Sequence, residues 1–201
     1  MSLRKFDNLT PAGKRMRIAR DVLASMDAAE FTVAKDRFLW MIDPTKGQSL
    51  FTNGAVAGYD SVPADTIISE FPRNKQNCRV CALGAMMLCK LEYKNGLKFR
   101  DVNGGNRGAV KDQLKDYFDA TTLATIESVF ECDCWGDPMS GWIQYKDFLL
   151  ASYKPGDGDL NEFILRQLMS NIIVNHGMLK MEPRLYTVKR GRNQFSSKVA
   201  A

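Results

Sequence analysis

The sequence predicts a mainly α-helical protein: one compact helical domain over residues 1–183, with a small β-hairpin near residues 37–51 and a basic, mobile tail over 184–201. Three observations carry this. Apolar residues recur at spacings of three and four in one stretch after another, the signature of helices with a buried face. Cap and stop residues bracket those stretches. The one aromatic run of strand character is short and ends at a turn.

Thr10-Pro11 opens the first helix. Thr10 offers an acceptor to an orphan amide, and Pro11 suits the first turn. Ile18, Val22 and Met26 follow at spacing four with Leu23 beside them, so the helix runs to about Asp27 with Lys14, Arg17 and Asp21 outward. Arg37 to Ile42 (RFLWMI) and Ser49 to Phe51 read as two short strands around Asp43-Pro44 and Lys46-Gly47. Residues 52–75 read as loop, with a short helix around Ala64 to Phe71, and a loop of this length in a compact domain is often functional.

A second helix is expected from Gln76 to Lys94, ended by Asn95-Gly96. Val110, Leu114, Tyr117 and Phe118 make a third stripe. Asp119 then caps a fourth, with Leu123, Ile126, Val129 and Phe130. After a loop at 131–142 a short helix spans Trp142 to Tyr153. Asp159 with Glu162 three residues on starts the last one, Leu160 to Val174, whose wide apolar stripe marks it as the central buried helix. Gly177 stops it.

Composition sets the bounds. A chain of 201 residues with 45% hydrophobic and 25% charged content is ordinary for a globular protein. It can bury roughly 70% of its unfolded surface without staples. No apolar run approaches the ~20 residues that cross a bilayer, and the basic start lacks the apolar core of a secretory signal. Five cysteines, odd in number and clustered, suit free thiols in a reducing compartment, so a cytoplasmic protein is expected. The net charge of +5 is uneven. Arg4, Lys5, Lys14, Arg15, Arg17 and Arg20 against Asp7 make residues 1–20 basic. Arg184, Lys189, Arg190, Arg192 and Lys198 do the same for 184–201, around a mildly acidic middle. Such ends aid solubility and can hold an anionic partner. No aromatic residues interleave with the basic residues of the first helix, so specific nucleic-acid recognition is not expected.

Cys78-x-x-Cys81 and Cys132-x-Cys134 supply four thiols in two clusters, as a tetrahedral zinc site needs. Against this, Ala82 to Cys89 continues an apolar helical run where a knuckle would need a turn. A redox pair would want a strand before the motif, and Pro72 to Gln76 is not one. The stronger reading is packing. Cys78, Cys81, Ala82, Ala85 and Cys89 form a face of small side chains for close helix approach. Gly84 within it costs about 1 kcal/mol relative to alanine and so points to a close backbone contact or a ligand.

Gly104-Gly105-Asn106-Arg107-Gly108 before a helix could present amides to a phosphate or a nucleotide-like molecule, although it lacks the Lys-Ser/Thr of a phosphate loop. His176, the single histidine, sits where a helix C-terminus favours a cation. Gly136 to Asp147 matches a calcium loop at Gly141 and Ile143 but has Gly136 and Pro138 at ligand positions and Asp147 where glutamate is usual, which rejects it.

The segment Cys78 to Ala85 (CRVCALGA), after a helix containing Ile18 to Leu23 (IARDVL), resembles a family of small, uncharacterised phage and bacterial proteins. Lys115 to Glu131 and Asn171 to Gly177 add to the likeness. The resemblance implies a phage or mobile-element origin and supplies no catalytic residue, cofactor or activity. The expected function is therefore that of a non-enzymatic phage-type accessory protein in the host cytoplasm, acting by binding a host protein. A binder of a small anionic or nucleotide-like ligand is the alternative, and a zinc protein using Cys78, Cys81, Cys132 and Cys134 a further one.

Overall fold

The computed structural model describes residues 6–35, 38–51, 57–91, 98–101, 107–131 and 136–188. Its helices are α1 (Pro11–Asp27), α2 (Ala82–Leu91), α3 (Arg107–Leu114), α4 (Ala120–Glu131), α5 (Trp142–Ser152) and α6 (Leu160–Val174). Its strands are β1 (Thr32–Val33), β2 (Leu39–Asp43), β3 (Gln48–Phe51), β4 (Asp60–Ser61) and β5 (Cys78–Val80). The strands form one mixed sheet in the order β1-β5-β2-β3-β4. The fold is thus α/β, not the mainly helical domain with only a hairpin that the periodicity predicts.

The hairpin near residues 37–51 exists, pairing Trp40 with Phe51 through Asp43 with Gln48, but as two strands of a larger sheet. The strands missed are two or three residues long, too short to show an alternation. Cys78, Arg79 and Val80 are the telling case. They lie at the head of the apolar run assigned to a helix, yet they form β5, parallel to β1 and antiparallel to β2. Cys78 and Val80 turn into the core and Arg79 outward. The helix begins only at Ala82.

Cys81 makes this sharp joint. Its carbonyl accepts the Ala85 amide at 2.9 Å, and the amides of Leu83 and Gly84 lie near its thiol, where they offset part of the rise in its pKa. Gly84 then meets the backbone. A Cβ on it would stand 1.6 Å from the carbonyl oxygen of Phe38, the residue before β2. The small-residue face therefore admits the sheet's own chain at this point, where a neighbouring helix was expected.

α1 starts as its sequence dictates, with Thr10 Oγ1 accepting the Gly13 amide at 3.1 Å. It ends in a six-residue motif in which the Glu30 amide donates to Ser25 and that of Ala29 to Met26. Ala29, at φ 58°, holds the left-handed position. α6 ends the same way, the Gly177 amide donating to Ile172 and His176 to Ile173, with His176 at φ 54°.

α1 and α6 run antiparallel. Arg166 pairs with Asp27 at 2.8 Å at one end. At the other, Gly177 lies so close that an added Cβ would stand 2.6 Å from the Ala12 carbonyl oxygen. Arg15 closes that end, donating to the carbonyls of Gly177 at 2.6 Å and Tyr117 at 3.0 Å.

α4 holds a longer unbroken buried stretch than α6: every residue from Thr122 to Phe130 is buried. Two of its buried threonines are satisfied locally. Thr122 donates to Asp119, and Thr125 donates to the Thr121 carbonyl while accepting the Met139 amide. Residues 184–188, the start of the expected basic tail, lie against the body, with Tyr186 buried and Val188 packed on the core. Residues 189–201 fall outside the described part.

Candidate functional site

Cys78, Cys81 and Cys89 are buried thiols outside any disulfide. Burial pushes the Cys78 thiol up to about 12. It pushes Cys81 further in the same direction, with the carboxylates of Glu131 and Glu127 adding to the effect. Both are neutral thiols at physiological pH, and nucleophilic attack needs a thiolate. They also sense different surroundings: Arg73 and Glu30 act on Cys78, Glu131 and Glu127 on Cys81. Ala82 and Ala85 are buried beside them in α2. Cys132 and Cys134 lie outside the described residues. Among the described residues no cluster of three or more metal-ligating side chains occurs.

Of the predicted anion turn, Gly104, Gly105 and Asn106 lie outside the described residues, and Arg107 and Gly108 open α3. His176 is exposed and serves the chain reversal after α6 by its left-handed backbone. Sequence reasoning missed a buried charged centre between α2, α3 and α4. Lys90 and Glu127 are each 1% exposed. Lys111 Nζ lies 2.6 Å from Glu127 Oε2, and Lys90 Nζ lies 5.0 Å from the centre of the Tyr117 ring. The legible signal was Glu127 itself, an acid inside a helix whose every face is covered.

A second feature follows α6. After the α6 reversal, residues 178–188 return along α5 and α6. The Asn171 carboxamide, fully buried, holds both backbone groups of Lys180: Nδ2 donates to its carbonyl at 2.6 Å and Oδ1 accepts its amide at 3.0 Å. Asn175 Nδ2 donates to the same Oδ1 and steadies it. One helical turn earlier, Gln167 Oε1 accepts the Tyr186 amide at 2.8 Å. Between these points the Arg184 amide donates to the Glu182 carbonyl, a tight turn around Pro183.

The Tyr186 ring meets Tyr145 of α5 edge to face, with centroids 6.5 Å apart. Both hydroxyls are buried without a hydrogen-bond partner among the described residues. The Asn171 carboxamide lies beside that of Tyr145 and the Arg184 guanidinium beside that of Tyr186, but neither meets hydrogen-bond geometry. Burial raises the Tyr145 phenol to about 12. Met181 packs against Gly141 at the start of α5.

The large apolar side chains exposed among the described residues gather in this part of the chain. Ile143 and Leu150 lie on α5, Val174 at the end of α6, and Met178 and Leu185 on the segment that follows. No helix among the described residues is long and apolar enough to cross a membrane. Compared with protein-family models, curated proteins and solved structures, the chain matches none.

Proposed function

We propose that this chain is a non-enzymatic accessory protein of phage type that works in the host cytoplasm by binding a host protein. One observation carries the reading. The exposed large apolar residues among those described, Ile143, Leu150, Val174, Met178 and Leu185, all fall on α5, the end of α6 and the segment after it. Single exposed apolar side chains are ordinary on a protein surface. Their confinement to the stretch 143–185 marks a region suited to contact with another protein. Cysteines outside any disulfide at Cys78, Cys81 and Cys89 favour a reducing compartment.

The test is affinity capture from bacterial cells with the wild type and with an Ile143→Asp/Met178→Asp/Leu185→Asp variant of unchanged melting temperature. A discrete protein retained by the first and lost by the second supports the proposal. Equal retention refutes it. A parallel thermal-shift screen with nucleotides addresses the small-anion alternative. A ligand-dependent rise in melting temperature that Arg107→Ala abolishes would favour that alternative instead.

A further inference from the structure

We infer that the groove along α5 and α6 is a recognition site for a short linear peptide segment with an aromatic anchor. This chain's own residues Leu179–Val188 fill it until a partner's segment displaces them. The inference rests on the partner-binding reading above and supplies the chemistry of the partner.

The way the segment is held carries the argument. No strand ladder or helix includes residues 179–188. Side chains of α6 hold its backbone instead. A carboxamide has one donor edge and one acceptor edge, and Asn171 matches them to the N–H and C=O of a single residue, Lys180. This pairing reads backbone and not side chain: Lys180 itself is exposed. Gln167, four residues earlier on the same helix face, reads the amide of Tyr186. Backbone bonds that are indifferent to sequence, with buried side chains, here Leu179 and Tyr186, for selectivity, are the usual elements of peptide recognition.

The anchor is Tyr186, 3% exposed, seated on Tyr145. Its fit is imperfect. Two phenol hydroxyls give up hydration in the closed arrangement and receive no hydrogen bond in return among the described residues. The chain's own segment is therefore a suboptimal occupant. A segment anchored by phenylalanine escapes one of the two losses. Met178, 55% exposed just before the displaced segment, stays with the body and offers apolar contact to an incoming chain.

The test uses the full-length protein and a fluorescein-labelled synthetic peptide copying residues 179–188. In the Tyr186→Ala protein the internal competitor loses its anchor. The peptide is expected to bind it about tenfold more tightly than it binds the wild type, whose groove is mostly filled. Replacing the peptide's tyrosine by phenylalanine should leave binding equal or tighter. Replacing it by alanine, or adding Gln167→Ala to the protein, should weaken it strongly. No saturable binding to Tyr186→Ala, or binding indifferent to anchor and to Gln167, overturns the inference.

Amide hydrogen exchange on the wild type guards against misfolding of the variant. The Lys180 and Tyr186 amides should exchange through a local opening well before those of α6. Exchange of both only at the global unfolding rate would show that the segment is not displaceable. Since the probe is synthetic, its failure is separable from the capture experiment, which needs no assumption about the groove.

Discussion

Gly84→Ala puts one methyl group where the fold has none to spare. The added Cβ would stand 1.6 Å from the Phe38 carbonyl oxygen, 2.7 Å from its carbonyl carbon and 3.3 Å from Val80 Cβ. Two of these neighbours are backbone, just ahead of β2, and no rotamer change relieves them. α2 would have to retreat by more than ~1 Å from a joint fixed by β5 on one side and the Ala85 amide to Cys81 carbonyl bond on the other, in an interior packed like an organic crystal. Alanine returns about 1 kcal/mol of helix propensity. Overpacking against an unyielding neighbour costs more, and a net loss of about 3 kcal/mol is expected. For a domain of this size that lowers the melting temperature by roughly 6–12 °C. Thermal melts and urea titrations of the wild type and Gly84→Ala read it, with Gly156→Ala as control, since a Cβ there meets nothing within 4 Å. A Gly84→Ala protein as stable as the wild type, or more so, would refute the close approach of α2 to Phe38.

Ala29→Gly should raise stability by about 1 kcal/mol, read from the urea midpoint, because Ala29 stands at φ 58° with a side chain that disfavours that conformation. Lys111→Met removes a cation 2.6 Å from a buried carboxylate and should cost about 2–3 kcal/mol, checked by the same titration. Burial raises the Cys78 thiol from 9.0 to about 12, so the unfolded chain releases that proton first. The resulting stability is complete below pH ~9 and falls by about 1.4 kcal/mol per pH unit as pH climbs toward ~12. Melting temperatures from pH 8 to 11 should decline, and Cys78→Ala should flatten the decline; an unchanged slope would contradict it.

What could be read in the sequence was what repeats. α1, α4, α5 and α6 follow from caps and spacing: Thr10 and Asp159 cap as their chemistry suggests, the latter accepting the amides of Asn161 and Glu162. Gly84 was legible as an anomaly, although the contact that demands it comes from 46 residues away in sequence, beyond any local pattern. β5 was hidden because Cys78-Arg79-Val80 abuts the apolar helix after it, and a three-residue strand is defined by its partners. α4 was masked by Thr122, Thr125, Glu127 and Ser128, polar residues that suggest a wet face but are buried. The groove on α6 was invisible for a related reason. Asn171 and Gln167 in a helix read as surface residues, and only the returning chain makes them backbone clamps.

The account's central claim is that the surface built by α5, the end of α6 and the following segment binds a protein. Site-specific photo-crosslinking in bacterial cells tests it most directly, with a photoreactive amino acid placed in turn at Ile143, Met178 and Leu185, and at Lys115 as an exposed site after α3. The account predicts one and the same adduct from the first three positions and none from Lys115. Adducts absent from all three, or equally strong at Lys115, would contradict it.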